Sequence, residues 1–394
     1  MTLPIFDYLL VKVASRCNID CSYCYWFRDQ TVYSQPKVMS PEVSERLLQR
    51  IAEQIERHDL KRFSVLLHGG EPLLWGKARF RAFAEAYLQI GAATGAQMHL
   101  SVTTNGLLID DEWCELFSEF STSVTVSIDG PPELHDKNRV TFDGRGTHSD
   151  VLKSIRLLRS KGIEPGLLSV ADVGSAPDLV VQHLVHEVGA KHFDILIPDA
   201  TYDNPAPSIA GYYKRLFDLW LDELAPKGIG VRLAKGIAVG LLGGDAKLES
   251  IGYGPIQTCA VMPDGSLEPL DVLRIAGNGS TKTGLNVFDN AFQAVTANDV
   301  WLKAFHASLN LPEKCQACEF RNACGGGYLP HRYSTENGYE NPSVYCEDLI
   351  EVFEHSWQRI AAQVSLSGPG RASIPIASAI ASLDDESAVS VTSH

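Results

Sequence analysis

A chain of 394 residues, 45% hydrophobic and 21% charged, has an ordinary globular composition and enough length for more than one domain. Its net charge of −14 argues against a general nucleic-acid binder, and no apolar run approaches the roughly 18–20 residues that cross a bilayer. Nine cysteines follow an N-terminus, MTLPIFDYLLVKV, without the basic region of a secretory signal, which points to thiolate chemistry rather than disulfides and to the cytoplasm.

Residues 7–13 are mostly apolar and β-branched, a short buried strand that delivers the loop Cys17-Asn18-Ile19-Asp20-Cys21-Ser22-Tyr23-Cys24-Tyr25. Thiolates at C-x3-C-x2-C suit three irons of a [4Fe–4S] cluster and leave the fourth iron open to a small molecule. Half a zinc site is the competing reading, but zinc motifs pair one C-x2-C with a second. Ser40 and Pro41 then read as the N-cap and first residue of a helix, with Val43, Leu47, Leu48, Ile51 and Ile55 at helical spacing. Strands over 63–67, 98–103, 124–128, 166–170 and 192–197 alternate with helices over 78–90, from 110, over 148–161 and over 178–188. This alternation indicates an α/β fold with a parallel sheet. Six such units form a partial (β/α)6 TIM-like barrel, with chemistry expected at the C-terminal strand ends.

The informative turns lie at those ends. His68-Gly69-Gly70-Glu71-Pro72 follows the second strand; its glycines let backbone approach a ligand closely, and Glu71 offers an acceptor for a charged amine. Thr103-Thr104-Asn105-Gly106 follows the third, and Ser127-Ile128-Asp129-Gly130-Pro131 the fourth, leading to His135-Asp136-Lys137-Asn138-Arg139. One glycine turn alone is an ordinary βα loop; three in this order after three strands argue for a binding site. Cys114, on an apolar helix face with Trp113 and Phe117, reads as a core thiol.

Further helices are expected over 212–224 and 231–250, and Pro263-Asp264-Gly265 reads as a hairpin turn. Asp271 is either a turn cap or a proton acceptor. A second set, Cys315, Cys318, Cys324 and Cys346, suits zinc or a closed [4Fe–4S] cluster, and spacing alone does not choose. From 365 the chain is Ser/Ala-rich and reads as a disordered tail.

The first cysteine loop with Tyr25 resembles the signature of radical SAM enzymes. The resemblance implies that S-adenosylmethionine chelates the open iron and is cleaved to a 5′-deoxyadenosyl radical that takes a hydrogen atom from substrate. It implies an electron donor such as flavodoxin or ferredoxin. Gly69, Gly70, Glu71 and Pro72 resemble the GGEP motif that holds the SAM amino group, and Thr104-Asn105-Gly106 the turn near the ribose. Ser127, Asp129 and Arg139 match the SIDGP…HD…R pattern near the SAM carboxylate.

The second cysteine set resembles a SPASM auxiliary domain. Leu270 and Tyr328 stand where that pattern has two further cysteines. The resemblance therefore implies one complete auxiliary [4Fe–4S] cluster on Cys315, Cys318, Cys324 and Cys346, with Cys259 an orphan thiol or a ligand in an altered site. Domains are expected over 1–230 (barrel), 231–360 (SPASM-type) and 361–394 (tail). In related sulfatase maturases the residue at the position of Asp271 is the base. The run from Cys324 to Tyr333, with Asn341 to Cys346, is similar to maturases that form cyclophanes in ribosomally made peptides. The main expectation is thus oxidative coupling of a Cβ to an aromatic ring in a precursor peptide. The alternatives are sulfatase-type oxidation of Cys or Ser to formylglycine, and an iron–sulfur electron carrier or redox sensor.

Overall fold

A computed structural model describes residues 3–204, 207–246 and 248–367. In chain order the strands are β1 (Tyr8–Ala14), β2 (Asp20–Cys21), β3 (Arg62–Gly69), β4 (Gln97–Thr104), β5 (Ser123–Ser127) and β6 (Arg139–Val140). They continue with β7 (Gly166–Val170), β8 (His192–Leu196), β9 (Gly230–Val231), β10 (Ala260–Val261), β11 (Ser266–Glu268) and β12 (Leu285–Asn286). The chain forms two compact units. The first holds Met1–Ser127, Asp136–Pro165 and Ile256–His306; the second holds Ile128–His135, Gly166–Pro255 and the described residues from Ala307 onward.

In the first unit β1, β3, β4 and β5 run parallel in that order. Leu9, Leu10, Val11, Val13 and Ala14 of β1 are all buried, as a parallel strand covered on both faces requires. Helix Pro41–His58 begins where the sequence places it: the Ser40 side chain accepts from Val43 N at 3.3 Å, and Val43, Leu47, Ile51 and Ile55 face inward. Asp110 caps helix Asp111–Glu119 in the same way, accepting from Trp113 N at 2.9 Å. Phe80, Trp113, Phe117 and Phe120 then pack edge-on and stacked, and Cys114 is buried among this helix's core residues.

The first unit also takes in a later stretch of chain. β10 pairs parallel with β1, Leu10 opposite Ala260, and β11 and β12 follow antiparallel. The β10–β11 turn is the expected Pro263-Asp264-Gly265 hairpin. Gly265 takes φ +84°, and a Cβ there would lie 2.8 Å from the Val287 side chain, so glycine is required. The hairpin region thus groups with the first unit instead of following a boundary near 230.

In the second unit β7, β8 and β9 run parallel. Asp194 on β8 starts helix Arg232–Leu241 by accepting from Leu233 N at 2.9 Å and from Arg232 Nε at 2.9 Å. That helix stops well before 250, because Gly243 at φ +84° turns the chain out. The helix expected over 178–188 is Pro177–Gln182 followed by a wide π turn, His183–Glu187, and another π turn, Trp220–Leu224, extends helix Ala210–Leu219. Helix Cys346–Ser367 runs past the expected boundary at 361; the rest of the expected tail lies outside the described residues. Among the described residues no helix is long and apolar enough to cross a membrane.

Candidate active site

The first cysteine loop is built against the end of β3. Gly70 N donates to Ala14 O at 2.9 Å and Glu71 N to Arg16 O at 2.9 Å. A Cβ on Gly69 would stand 2.2 Å from Ala14 O, and one on Gly70 2.3 Å from Arg16 O. The glycine pair therefore lets two backbones approach each other, where the sequence suggested approach to a ligand. Cys21 lies on β2, paired antiparallel with Arg139 on β6. The Arg139 guanidinium reaches Cys21 Sγ at 3.9 Å and sits over the Tyr23 ring, 5.4 Å from its centroid. Asn105 Nδ2 donates to Asn18 Oδ1 at 2.7 Å and toward Cys17 Sγ at 3.6 Å.

Three thiols on one loop with donors aimed at two of the sulfurs fit an iron–sulfur cluster, whose sulfurs take such outer hydrogen bonds. Burial pushes the Cys17 and Cys24 thiols up, so holding them as thiolates calls for the positive charge of bound iron.

Glu71 is wholly buried, and its carboxylate joins two of the turns. Oε1 accepts from Thr104 Oγ1 at 2.7 Å and Leu73 N at 3.0 Å, and Oε2 from Asn105 N at 2.8 Å. Burial pushes it up to about 7 against those three bonds. Pro72 opens the short 3-10 turn that follows, and Ser127 ends β5 in the same unit. Asp129 belongs to the second unit, where Oδ1 accepts from Val170 N at 3.0 Å and its own N–H donates to His135 Nδ1 at 3.2 Å.

Asp271 is wholly buried in the first unit. It opens the 3-10 turn Asp271–Ala276, its Oδ2 accepts from Tyr25 Oη at 2.5 Å, and it pairs with Lys12. The sequence reading overlooked Lys12 and His68. Lys12 is a charged residue inside an otherwise apolar strand, and that anomaly was the available signal. The Asp271 turn is itself fastened by Arg274, buried between Asp29 at 2.9 Å and Glu268 at 2.5 Å, with its Nε donating to Asp271 O at 3.1 Å. The Arg274 guanidinium lies over Trp26, 4.4 Å from the ring centroid. Leu270 and Cys259 are fully buried too, and burial pushes the Cys259 thiol up.

The second cysteine set stands within the second unit. Cys315, Cys318, Cys324 and Cys346 line a cavity of about 280 Å³ together with Phe320 and Phe353. The cavity leaves room for a bound metal centre beside these four thiols. Burial pushes Cys315, Cys346 and Cys324 up, Cys324 to about 12; the positive charges of Arg332 and Lys314 offset part of this at Cys315, and that of Lys314 part of it at Cys346.

The neighbouring run that suggested a cyclophane-forming enzyme has a packing role. A Cβ on Gly325 would lie 2.1 Å from Gly252 O. Arg332 donates to Ala307 O at 2.8 Å and Asn341 O at 2.9 Å, and Tyr345 Oη donates to Pro198 O at 3.0 Å. These bonds fasten the two runs inside the second unit, and Gly326 and Ser343 of the same runs line the cysteine cavity.

Comparison with known proteins overturns the cyclophane expectation. The chain is 27% identical over 379 residues to the cysteine-type anaerobic sulfatase-maturating enzyme of Clostridium perfringens (strain 13), covering 91% of this chain and 98% of that one. It is 26% identical to the serine-type anaerobic sulfatase-maturating enzyme of Bacteroides thetaiotaomicron, covering 88% and 89%. The solved structure of anSMEcpe with bound AdoMet superposes with TM-score 0.79 at 25% identity, over 90% of this chain and 98% of that one. The same enzyme with AdoMet and the Cp18Cys peptide gives TM-score 0.79 at 24% identity, over 92% and 99%. These matches span nearly the whole chain, where the cyclophane reading rested on two short runs. Residues 11–174, which carry the cysteine loop and the glycine turns, match the Radical SAM superfamily.

Proposed function

We propose that this chain oxidises the side chain of a cysteine or serine in a peptide to formylglycine, as a sulfatase-maturating type of enzyme. The supporting observation is the Asp271 carboxylate, buried and bonded to Tyr25, the residue directly after the third cluster cysteine. Turning CH2–SH or CH2–OH into CH=S or CH=O removes a hydrogen atom, an electron and a proton; the thioaldehyde from cysteine then exchanges its sulfur with water, releasing hydrogen sulfide and leaving the aldehyde. When bound, the first cluster and S-adenosylmethionine supply the hydrogen-atom abstraction. The chain's own part is to place the substrate and take the proton, which the Asp271 carboxylate accepts.

Gly69, Gly70, Glu71, Pro72, Thr104, Asn105, Ser127, Asp129 and Arg139 are assigned to the S-adenosylmethionine pocket. Glu71 acts there by fixing the Thr104-Asn105 turn. The second cysteine set is assigned as the ligand set of an auxiliary cluster and as the exit for the electron. A flavodoxin or ferredoxin in the cytoplasm would supply the starting electron.

The test uses the full chain, reconstituted anaerobically and supplied with reductant, S-adenosylmethionine and sulfatase-derived peptides carrying Cys or Ser. Aldehyde is trapped with a hydrazine reagent and 5′-deoxyadenosine is measured beside it. Aldehyde from at least one peptide is expected. Asp271→Asn should still release 5′-deoxyadenosine and lose roughly 10²–10⁴-fold in aldehyde, the usual range for removing a general base. Peptide-dependent 5′-deoxyadenosine without aldehyde from wild-type enzyme would refute the reading.

A further inference from the structure

We infer that Lys12 is the positioning residue of this site: its ammonium holds Asp271, Tyr25 and His68 in one fixed arrangement. The inference rests on the proton-accepting role proposed for Asp271. An ammonium has three N–H donors and no acceptor. Here all three are used: Lys12 Nζ donates to Tyr25 Oη at 2.9 Å, contacts His68 Nδ1 at 3.0 Å and pairs with Asp271 Oδ2. Lys12 and Asp271 are both fully buried, so water does not compete for these bonds.

Each bond settles something about its partner. Tyr25 Oη accepts from Lys12, which turns its own proton toward Asp271 Oδ2 at 2.5 Å. His68 Nδ1 accepts from Gly69 N at 2.8 Å as well as facing Lys12, so the proton of the neutral ring is assigned to Nε2. Asp271 is held from two sides on one oxygen, which fixes the plane of its carboxylate. His68 ends on the residue before the glycine pair, and Tyr25 follows the third cysteine. One side chain therefore ties the cysteine loop, the end of β3 and the Asp271 turn together within the first unit.

Burial pulls the Lys12 ammonium below its ordinary value, and the adjoining Asp271 carboxylate offsets part of that fall. Removing the ammonium strands that carboxylate, so a variant that folds poorly is foreseeable and the test includes a partner change. Full-length enzyme is reconstituted as Lys12→Met, Lys12→Arg, Asp271→Asn and the double variant Lys12→Met/Asp271→Asn. Iron content, peptide-dependent 5′-deoxyadenosine and aldehyde are measured on each with a peptide the wild type converts.

Lys12→Met should keep iron and 5′-deoxyadenosine near wild type while aldehyde per 5′-deoxyadenosine falls on the order of 10²-fold, the scale of a misplaced reacting group. Lys12→Arg should recover part of it. The double variant should resemble Asp271→Asn alone, because Lys12 acts through Asp271 and the losses do not add. A parallel fall of iron, 5′-deoxyadenosine and aldehyde in Lys12→Met, with full additivity in the double variant, would make Lys12 merely structural and overturn the inference. Wild-type enzyme that yields no aldehyde from any peptide fails the functional reading itself and takes the inference with it; aldehyde from wild type with an unchanged ratio in Lys12→Met sinks the inference alone.

Discussion

His331 is held in the second unit with no room for its charged form. Its ring lies edge-on between Tyr328 and Tyr345, at centroid distances of 5.2 and 5.1 Å, and the nearest carboxylate, Asp199, is 3.9 Å from Nε2. Burial pulls it down from 6.5 to about 3. The folded value is the lower one, so between about 6.5 and 3 the unfolded chain binds the extra proton and stability rises with pH. The contribution is complete above about 6.5 and is lost as pH falls, at about 1.4 kcal/mol per pH unit for one proton. Chemical denaturation at pH 7 and pH 5 should show wild type losing about 2 kcal/mol more than His331→Phe. Equal losses would mean the folded ring is protonated beside Asp199. Glu71 is the second buried test. Glu71→Gln keeps an acceptor for one side of the carboxylate but turns an amide N–H toward a backbone donor, so stability should fall about 1–3 kcal/mol. S-adenosylmethionine affinity should fall with it, and unchanged affinity in a stable variant would detach Glu71 from the pocket. The glycine-rich turn singles out Glu71 as an acceptor for an amine, and its oxygens here accept from Thr104, Leu73 and Asn105. Lys12 was not singled out, because a strand pattern reports which residues are buried and says nothing of the partners that make a buried charge tolerable.

Secondary structure follows its sequence signals where one residue or one period decides it. The Ser40-Pro41 cap, the Asp110 cap and the runs of β1, β3 and β4 are such cases. The pairing of β1 with β10 was hidden, since Ala260 meets Leu10 through a two-residue strand remote in sequence. The two π turns leave no compositional trace. The glycine pair after β3, expected to let backbone approach a ligand, also lets the end of β3 approach the cysteine loop. That approach is testable. Gly70→Ala puts a methyl 2.3 Å from Arg16 O, a clash with backbone that should cost about 1–3 kcal/mol and lower iron retention by shifting the loop. Gly211, inside helix Ala210–Leu219, has nothing within 4 Å of a built Cβ; Gly211→Ala should stabilise by about 0.5–1 kcal/mol. Thermal denaturation with iron assays on both variants checks the contrast. If Gly70→Ala were neutral in both, the β3 end would not anchor the cysteines.

At the scale of the whole chain, each compact unit carries its own cysteine set: Cys17, Cys21 and Cys24 in the first, Cys315, Cys318, Cys324 and Cys346 in the second. Spacing singles out both sets as candidate ligands, because thiolates sharing a cluster are brought together most readily from short, nearby loops. The function was less legible. The runs around Cys324 and Tyr345 reflect the packing of a cysteine cavity, and local pattern carries no information about which residue of a peptide is oxidised. Anaerobically reconstituted protein should hold about eight irons, four per set. Replacing Cys17, Cys21 and Cys24 with Ala should leave about four irons and no cleavage of S-adenosylmethionine. Cys318→Ala should remove about four irons from the other set while cleavage persists, since its ligands lie within the second unit. Cys114 and Cys259 are the remaining thiols, both fully buried in the first unit, and Ser at either position should leave the iron count alone. Cys259→Ser is the decisive variant. A wild-type content near about twelve irons that falls to about eight on this change would show Cys259 recruiting ligands to a third cluster, and the single auxiliary site would be wrong.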